Sequence, residues 1–495
     1  MIPPSIPTLA AAFRVASSFG GYGNAANTCV VAKGDPDSDD TLAIVAAFSA
    51  CQNNSRIVFQ ENVTYNAYQP IQALGLNNVR IEINGNIQLS TNMTAIEGQV
   101  AKLTAKSLYG KSWFFFQGNQ VSIHGSEDPN WGWFEGYGEQ WWGLPSSAYR
   151  PRLATFNVNN GYIENLKHHS MIAWSWLVPN NNILIENHYS DNRPSNSTRD
   201  ETRTFPFNTD GINAGGHNIT VRGYFGYNGD DAVSIVAGAK DIHVSKAYAG
   251  FSSHGMSIGS LGKGGEFDYV ENVLVEDVTM DGAVYGARFK SWTGGNGNAK
   301  NVTYRNFKLI NVSIPIFITQ NYYDQSVGKP NVTSTNSTGV IDFHFSNFHG
   351  TFNKNWTDGS CISNPCWNYV EGISEGDAII LDLYNRSATD ITFCDINVSS
   401  PGVETSALCK PDVFDATDLE NLGFTCADGP LTSTASCGTS TLTTDDASNP
   451  TSDVETETGA TQSYVAPTNI LSKSTNSISA MSNIFVIFAT AVALF

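Results

Sequence analysis

The chain has 495 residues, 41% of them hydrophobic, enough to bury a core of ordinary proportion. Its formal charge of −19 and pI near 4.8 exclude a basic, phosphate-gripping face, and with it nucleic acid as a partner. Gly, Asn, Thr, Ser and aromatic residues outweigh helix formers, which favours strands joined by tight turns.

Residues 1–28 form an N-terminal segment whose first residues, MIPPSIPTLAAAFRVASS, lack the charged start and apolar run of a signal peptide. The eight cysteines fall in two end clusters, with none between Cys51 and Cys361. No spacing matches a metal-binding pattern, so no metal site is expected and disulfides in an oxidising compartment are. Cys29 with Cys51, Cys361 with Cys366, and two pairs among Cys394, Cys409, Cys426 and Cys437 are the expected bonds, the last connectivity being open. Asn-x-Ser/Thr sequons at Asn62, Asn92, Asn218, Asn301, Asn311, Asn331, Asn355 and Asn397 agree with a secreted protein.

From 29 to 428 one phrase recurs: Asn or Asp, an alternating apolar stretch, then Asn, Asp or Gly. Examples are NNVRIEINGN from Asn77, NNILIENHYSDN from Asn181 and HNITVRGYFGYN from His217. Alternation of period two marks strands, and the polar ends mark turns. Equivalent phrases starting at His217, Lys240, Glu271 and Lys300 are 23, 31 and 29 residues apart. Hairpin turns are not systematic and helical patterns do not intervene. The spacing therefore predicts an all-β solenoid of stacked coils rather than an antiparallel sandwich or barrel.

Past this region, 429–480 is rich in Thr, Ser, Asp and Ala and reads as a solvated, O-glycosylated stalk. The tail 481–495 ends in the apolar run Ile484–Phe495, too short for a spanning helix of ~20 residues. With its polar spacer it resembles a GPI-attachment signal.

Four central segments gather groups that are costly to bury. FPFNTDGIN supplies Asn208 and Asp210; YNGDDAVSI supplies Asp230 and Asp231; SSHGMSIGSLGKG supplies His254; GARFKSW supplies Arg288 and Lys290. They recur about once per coil, and residues one coil apart stack about 4.8 Å from each other. Three carboxylates, an imidazole and two cations should share one patch. Crowded carboxylates cannot all ionise, so one can act as acid while others activate water. Asp230 and Asp231 are neighbours and would face opposite ways on a regular strand unless a bulge or turn brings them together, and the preceding Gly229 suits a turn.

In this order NTDG, GDD, HG and R-x-K resemble the polygalacturonase-type glycoside hydrolases of family 28, as does Gly136–Trp142 with its G-x-G-x-x-W-W form. FPFNTDG, SHGMSIGSLGK, ARFKSW and PIFITQNYYDQ look most like the fungal exo-acting galacturonidase branch. The resemblance implies a right-handed parallel β-helix of about ten coils that hydrolyses pectin with inversion and without a cofactor. Its action would release galacturonic acid from the non-reducing end of polygalacturonate. It implies Asp230 as the acid and Asp210 with Asp231 as the base on water. His254 would set the acid's protonation or relay a proton, while Arg288, Lys290 and Asn208 bind substrate. Trp141, Trp142 and Trp174 are candidates for sugar stacking or for the core. The aromatic-rich segment Ser126–Arg152 would wall off one end of the cleft. Two departures stand out: Ala232 and Gly250 occupy places where relatives pair cysteines, and Ile314 stands where relatives often have Tyr. A monomer is expected, secreted, with its GPI-like tail as the candidate attachment to membrane or wall. Endo-acting and rhamnogalacturonan- or xylogalacturonan-cutting relatives are the near alternatives; a pectate lyase and a non-catalytic wall-binding protein are the distant ones.

Overall fold

The computed structural model describes residues 27–103, 112–144, 150–195, 205–330, 336–353, 358–431 and 434–437. Residues 1–26, the sequons at Asn331 and Asn355, most of the expected stalk and the whole apolar tail lie outside them.

The chain coils as a right-handed parallel β-helix. Its longest ladder stacks twelve strands among the described residues, from Asn27–Val30 to Ala388–Ser399, where about ten coils were expected. Every strand pairing described is parallel except that of Gly429–Pro430 with Ser406–Leu408. The phrases counted in the sequence do stack: His217 pairs with Lys240, Lys240 with Glu271, and Glu271 with Lys300.

The alternation explains the core. In the strand Ile71–Ile83, Val79, Ile81 and Ile83 point inward while Arg80 and Glu82 form an ion pair outside. Stacking repeats that choice in each coil, so Ile123, Ile163, Ile185, Val221, Val244 and Val275 make one continuous aliphatic row. The row then turns aromatic at Tyr304, Phe345 and Phe393, whose rings stack nearly parallel at 5.4 and 5.0 Å. Each of these side chains is buried, and burial of a large apolar side chain contributes about 1.5–3 kcal/mol.

The Asn residues that punctuate the phrases have two tasks. Asn160, Asn182 and Asn218 sit in the left-handed region (φ 54°, 59° and 56°), which Asn tolerates better than other residues with a side chain. Their amides also bond to one another up the stack, Asn218 to Asn182 and Asn182 to Asn160, at 2.9 Å each.

Helices do occur, against the sequence expectation, as in Met93–Lys102 between the strands Asn86–Gln88 and Ser112–Gly125. TLAIVAAFSA forms the helix Thr41–Ala50, which covers the first coil with Ile44, Ala47 and Phe48 buried. An open solenoid end exposes core side chains, and such a plug removes them from water. The Cys29–Cys51 bond ties it down, and Cys361–Cys366 also forms as expected. The open question at the other end is answered by Cys394–Cys437 and Cys409–Cys426.

That end also moves the expected boundary at 428. Leu431 N–H donates to the Thr405 carbonyl, Thr434 Oγ1 accepts from Ile396 N–H, and Cys437 closes the last coil. Ser/Thr-rich composition conceals this, because the residues bond chiefly through backbone and hydroxyl groups to a strand edge. The folded unit therefore extends to Cys437.

Candidate active site

A cavity of about 370 Å³ opens on one face of the coil, a size typical of small-ligand sites. All seven residues singled out in the sequence line it: Asn208, Asp210, Asp230, Asp231, His254, Arg288 and Lys290. Register brings them there. The short strands Ile212–Ala214, Val233–Ile235 and Met256–Leu261 pair Ile212 with Val233 and Val233 with Met256. Asp210, Asp231 and His254 each lie two residues ahead of these partners, so they stack on successive coils. One coil further on, Arg288 pairs with Ser257 and Lys290 with Gly259.

The problem of adjacent Asp230 and Asp231 is solved by a bend. Its main fastener is Asn228, a residue the sequence reading missed. The fully buried Asn228 amide donates to the carbonyls of Thr209, Asp230 and Asp231 at 2.7–3.0 Å. Gly229 is needed there because a Cβ would meet the Pro206 carbonyl oxygen at 2.5 Å. In the HG motif, Gly255 has φ +75° and a Cβ would lie 2.3 Å from the Tyr285 carbonyl. Asn228→Ala takes a donor from three carbonyls, of which those of Asp230 and Asp231 keep the N–H groups of His254 and Gly211; we expect a loss of about 1–3 kcal/mol of stability, checked by chemical denaturation.

The three carboxylates have different surroundings. Asp231 is held by both cations: Arg288 Nη2 donates to Oδ1, Lys290 Nζ to Oδ2 at 2.9 Å, and Ser257 Oγ to Oδ1 at 2.5 Å. Burial would raise its pKa, but Arg288 and Lys290 keep it below the usual carboxylate range. The two cations thus clamp a carboxylate instead of standing free. Arg288 Nη1 is buried with no hydrogen-bond partner among the described residues, and its guanidinium lies 4.6 Å from the Tyr285 ring centroid.

Asp230 receives His254 Nδ1 at 3.0 Å on Oδ1 and Asn208 Nδ2 at 3.3 Å on Oδ2. Burial opposes its charge, yet His254, then Lys290 and Arg288, hold it ionised. Asn208 reaches Asp230 because Arg150 fixes it, donating to Asn208 Oδ1 at 2.6 Å.

Asp210 differs from both. Its Oδ2 accepts from Asn213 Nδ2 at 2.9 Å, while Oδ1 is buried with no partner among the described residues. Burial first, and then the charges of Asp230 and Asp231, push its pKa well above the ordinary value. Of the trio, Asp210 is therefore the carboxyl whose surroundings favour the proton, and Asp230, the expected acid, the one whose surroundings favour the charged form. Asn213 is in turn held by Arg152. Neither Asn213 nor Arg152 was read from the sequence, although Asn213 completes the quoted NTDGIN string.

Profile comparison settles the family. The Glycosyl hydrolases family 28 profile matches residues 36–370. The chain belongs to glycosyl hydrolase family 28. Among its relatives, a probable exopolygalacturonase C of Aspergillus terreus is 38% identical over 424 residues, covering 83% of this chain and 94% of that one. Its counterpart in Aspergillus flavus is 36% identical over 417 residues, covering 82% and 92%. In fold the chain is similar to the endo-xylogalacturonan hydrolase of Aspergillus tubingensis, with a TM-score of 0.64 at 22% identity, covering 82% of this chain and all of that one.

This family 28 hydrolase distributes its tryptophans unequally. Trp141 and Trp142 are packed inside, Trp142 donating to the Met171 carbonyl at 2.9 Å, whereas Trp174 lines the cavity. Of the described residues in Ser126–Arg152, only Arg152 lines it. Tyr322 and Gln325, from the quoted PIFITQNYYDQ string, also line it, together with Ser360 and Trp367 on a segment the sequence reading had not connected with the site. Ile314, at the place where relatives often have Tyr, is buried with Tyr285 and Phe317 in a small cluster behind the cleft.

Two groupings come close enough to suggest a metal, and neither fits one. Cys361 and Cys366 beside Asp358 are joined as a disulfide and offer no thiolate. Around Asp230, Asp231 and His254, both ring nitrogens are engaged by carboxylates and two cations already neutralise Asp231.

Proposed function

We propose that this glycosidase is an exo-acting α-1,4-galacturonidase, releasing galacturonic acid from the non-reducing end of polygalacturonate with inversion. The carrying observation is the single cavity in which a carboxylate trio faces Arg288 and Lys290, in a chain whose relatives are exopolygalacturonases. Lys290, which lines the cavity and keeps N–H groups beyond its bond to Asp231, can take the carboxylate of a uronic acid, with Arg288 adding positive charge beside it.

Asp230 serves as the acid, gaining a proton when the substrate's negative charge enters the site and transferring it to the glycosidic oxygen. Asp210, the least compensated carboxylate, is the stronger base and takes the proton of the attacking water once it has itself ionised. Asp231 orients that water and is kept charged by its cations. Coupled carboxylates exchange protons as a set, so a resting proton on Asp210 is compatible with Asp230 acting as donor. Four disulfides support a secreted enzyme.

The test is an early time course on polygalacturonate at acidic pH, with products sized and activity compared between medium and cell fraction. Monomer as the first product, found in the medium, is expected. Mixed oligomers would place the enzyme in the endo class, and no cleavage would reject this substrate.

A further inference from the structure

The loop between the strands Gly339–Phe352 and Asp377–Asp382 is fixed where it meets the cleft. Cys361–Cys366 closes it on itself. Gln325 Nε2 donates to the Ser360 carbonyl at 2.9 Å, and the Trp367 indole donates to Ser360 Oγ at 3.2 Å. This arrangement directs one charged group inward. Asp358 is buried, and its Oδ1 lies 3.1 Å from His254 Nε2 while accepting the Ser360 N–H at 2.9 Å. The other ring nitrogen of His254 faces Asp230 at 3.0 Å. One imidazole thus stands between a carboxylate at the cavity and a carboxylate behind it.

We propose that Asp358 is a positioning residue for the hydrolysis: by engaging His254 Nε2 it dictates that Nδ1 delivers a proton to Asp230. This rests on the reading of Asp230 as the acid. In the step, the Nδ1–H bond breaks and an O–H bond forms on Asp230. The imidazole becomes neutral with its remaining proton on Nε2, where ionised Asp358 holds it. Asp230 then passes its proton to the departing glycosidic oxygen, and the proton lost by the attacking water re-enters the site through Asp210 and solvent. A carboxylate that selects the imidazole tautomer is a general device of acid–base sites.

The charged and titratable groups around His254 are Asp358, Asp230, Arg288 and Asp231, the last with a carboxylate oxygen within 4.8 Å of a ring nitrogen, and the Tyr285 ring centroid lies at 5.5 Å. Burial alone would lower the His254 pKa. Asp358 and then Asp230 overcome it, against Arg288, and raise the group to about 9. Burial likewise opposes the Asp358 charge, but His254 and the Ser360 bonds bring it down to about 2. The signs define a window. The histidine's contribution to stability is complete below its ordinary value of 6.5 and is lost as pH rises through about 9. The aspartate's contribution is complete above 3.8 and is lost as pH falls through about 2.

The experiment follows His254 by NMR in protein labelled with ¹⁵N-histidine, alongside kcat and KM against pH, in the wild type, Asp358→Asn and Asp358→Glu. The wild-type imidazole is expected to titrate near 9. In Asp358→Asn the midpoint falls by about one pH unit or more, kcat falls about 10- to 100-fold, and the alkaline limb moves to lower pH with KM nearly unchanged. Asp358→Glu recovers most of kcat. A folded Asp358→Asn with an unmoved His254 midpoint, or a pH profile that superimposes on wild type, overturns the proposal. Should that variant not fold, a wild-type midpoint at or below 6.5 overturns it equally. Absence of galacturonate release by wild type would instead reject the substrate reading, while the NMR midpoints still judge Asp358.

Discussion

Asp210→Asn should raise the melting temperature of this hydrolase while lowering its turnover by about 10²- to 10⁴-fold. The buried Asp210 side chain has one oxygen with no partner among the described residues and two carboxylates nearby. An amide can still accept from Asn213, and its NH₂ can donate toward Asp230 or Asp231 where the carboxylate only repels. The gain depends on pH in a definite sense. Because the folded pKa lies above the ordinary 3.8, the native state binds more protons than the unfolded chain from about that pH upward, and stability declines as pH rises. The Asn variant lacks this decline, so its advantage grows between pH 4 and neutrality. Calorimetry across that range, with turnover on polygalacturonate, is the check. A variant less stable than wild type at every pH would show that Asp210 is not the strained member of the trio.

Arg288→Met should have the reverse character, losing both activity and stability. It leaves Asp231 buried with Lys290 as its sole cation, and breaking a buried pair by removing one partner costs about 3–5 kcal/mol. Removing both partners is milder, because no uncompensated charge remains. The double variant Asp231→Asn/Arg288→Met is therefore expected to regain at least half of the lost stability and none of the activity. Denaturant midpoints of the single and double variants measure this coupling directly. Equal instability in both would mean that Arg288 supports the fold through its packing on Tyr285 and Trp367, at 4.6 and 5.4 Å, rather than through the ion pair.

The contrast between these variants shows how differently the sequence speaks about fold and about charge. The solenoid was legible because each coil must solve the same problem locally. Alternation puts Val79, Ile81 and Ile83 inside, and Asn at the corners accepts the left-handed turn. The plug helix was not legible, since TLAIVAAFSA is apolar nearly throughout and gains its place only by covering an open end. The site residues were legible as a set because NTDG, GDD, HG and R-x-K recur about once per coil, and stacking converts that spacing into proximity.

By itself, then, the sequence determined the coil, the face on which the chemistry gathers, and the identity of seven polar residues on it. Tertiary structure alone decided which of them carries charge. Burial and the two neighbouring carboxylates favour the proton on Asp210, Arg288 and Lys290 converging on Asp231 favour its charged form, and His254 does the same for Asp230. It also decided that His254 is paired behind by Asp358, 104 residues further along the chain. Periodicity cannot report such contacts, since Asp358 lies on a loop outside the repeat. Protonation follows from burial and from distances across coils, and those exist only after the chain has folded.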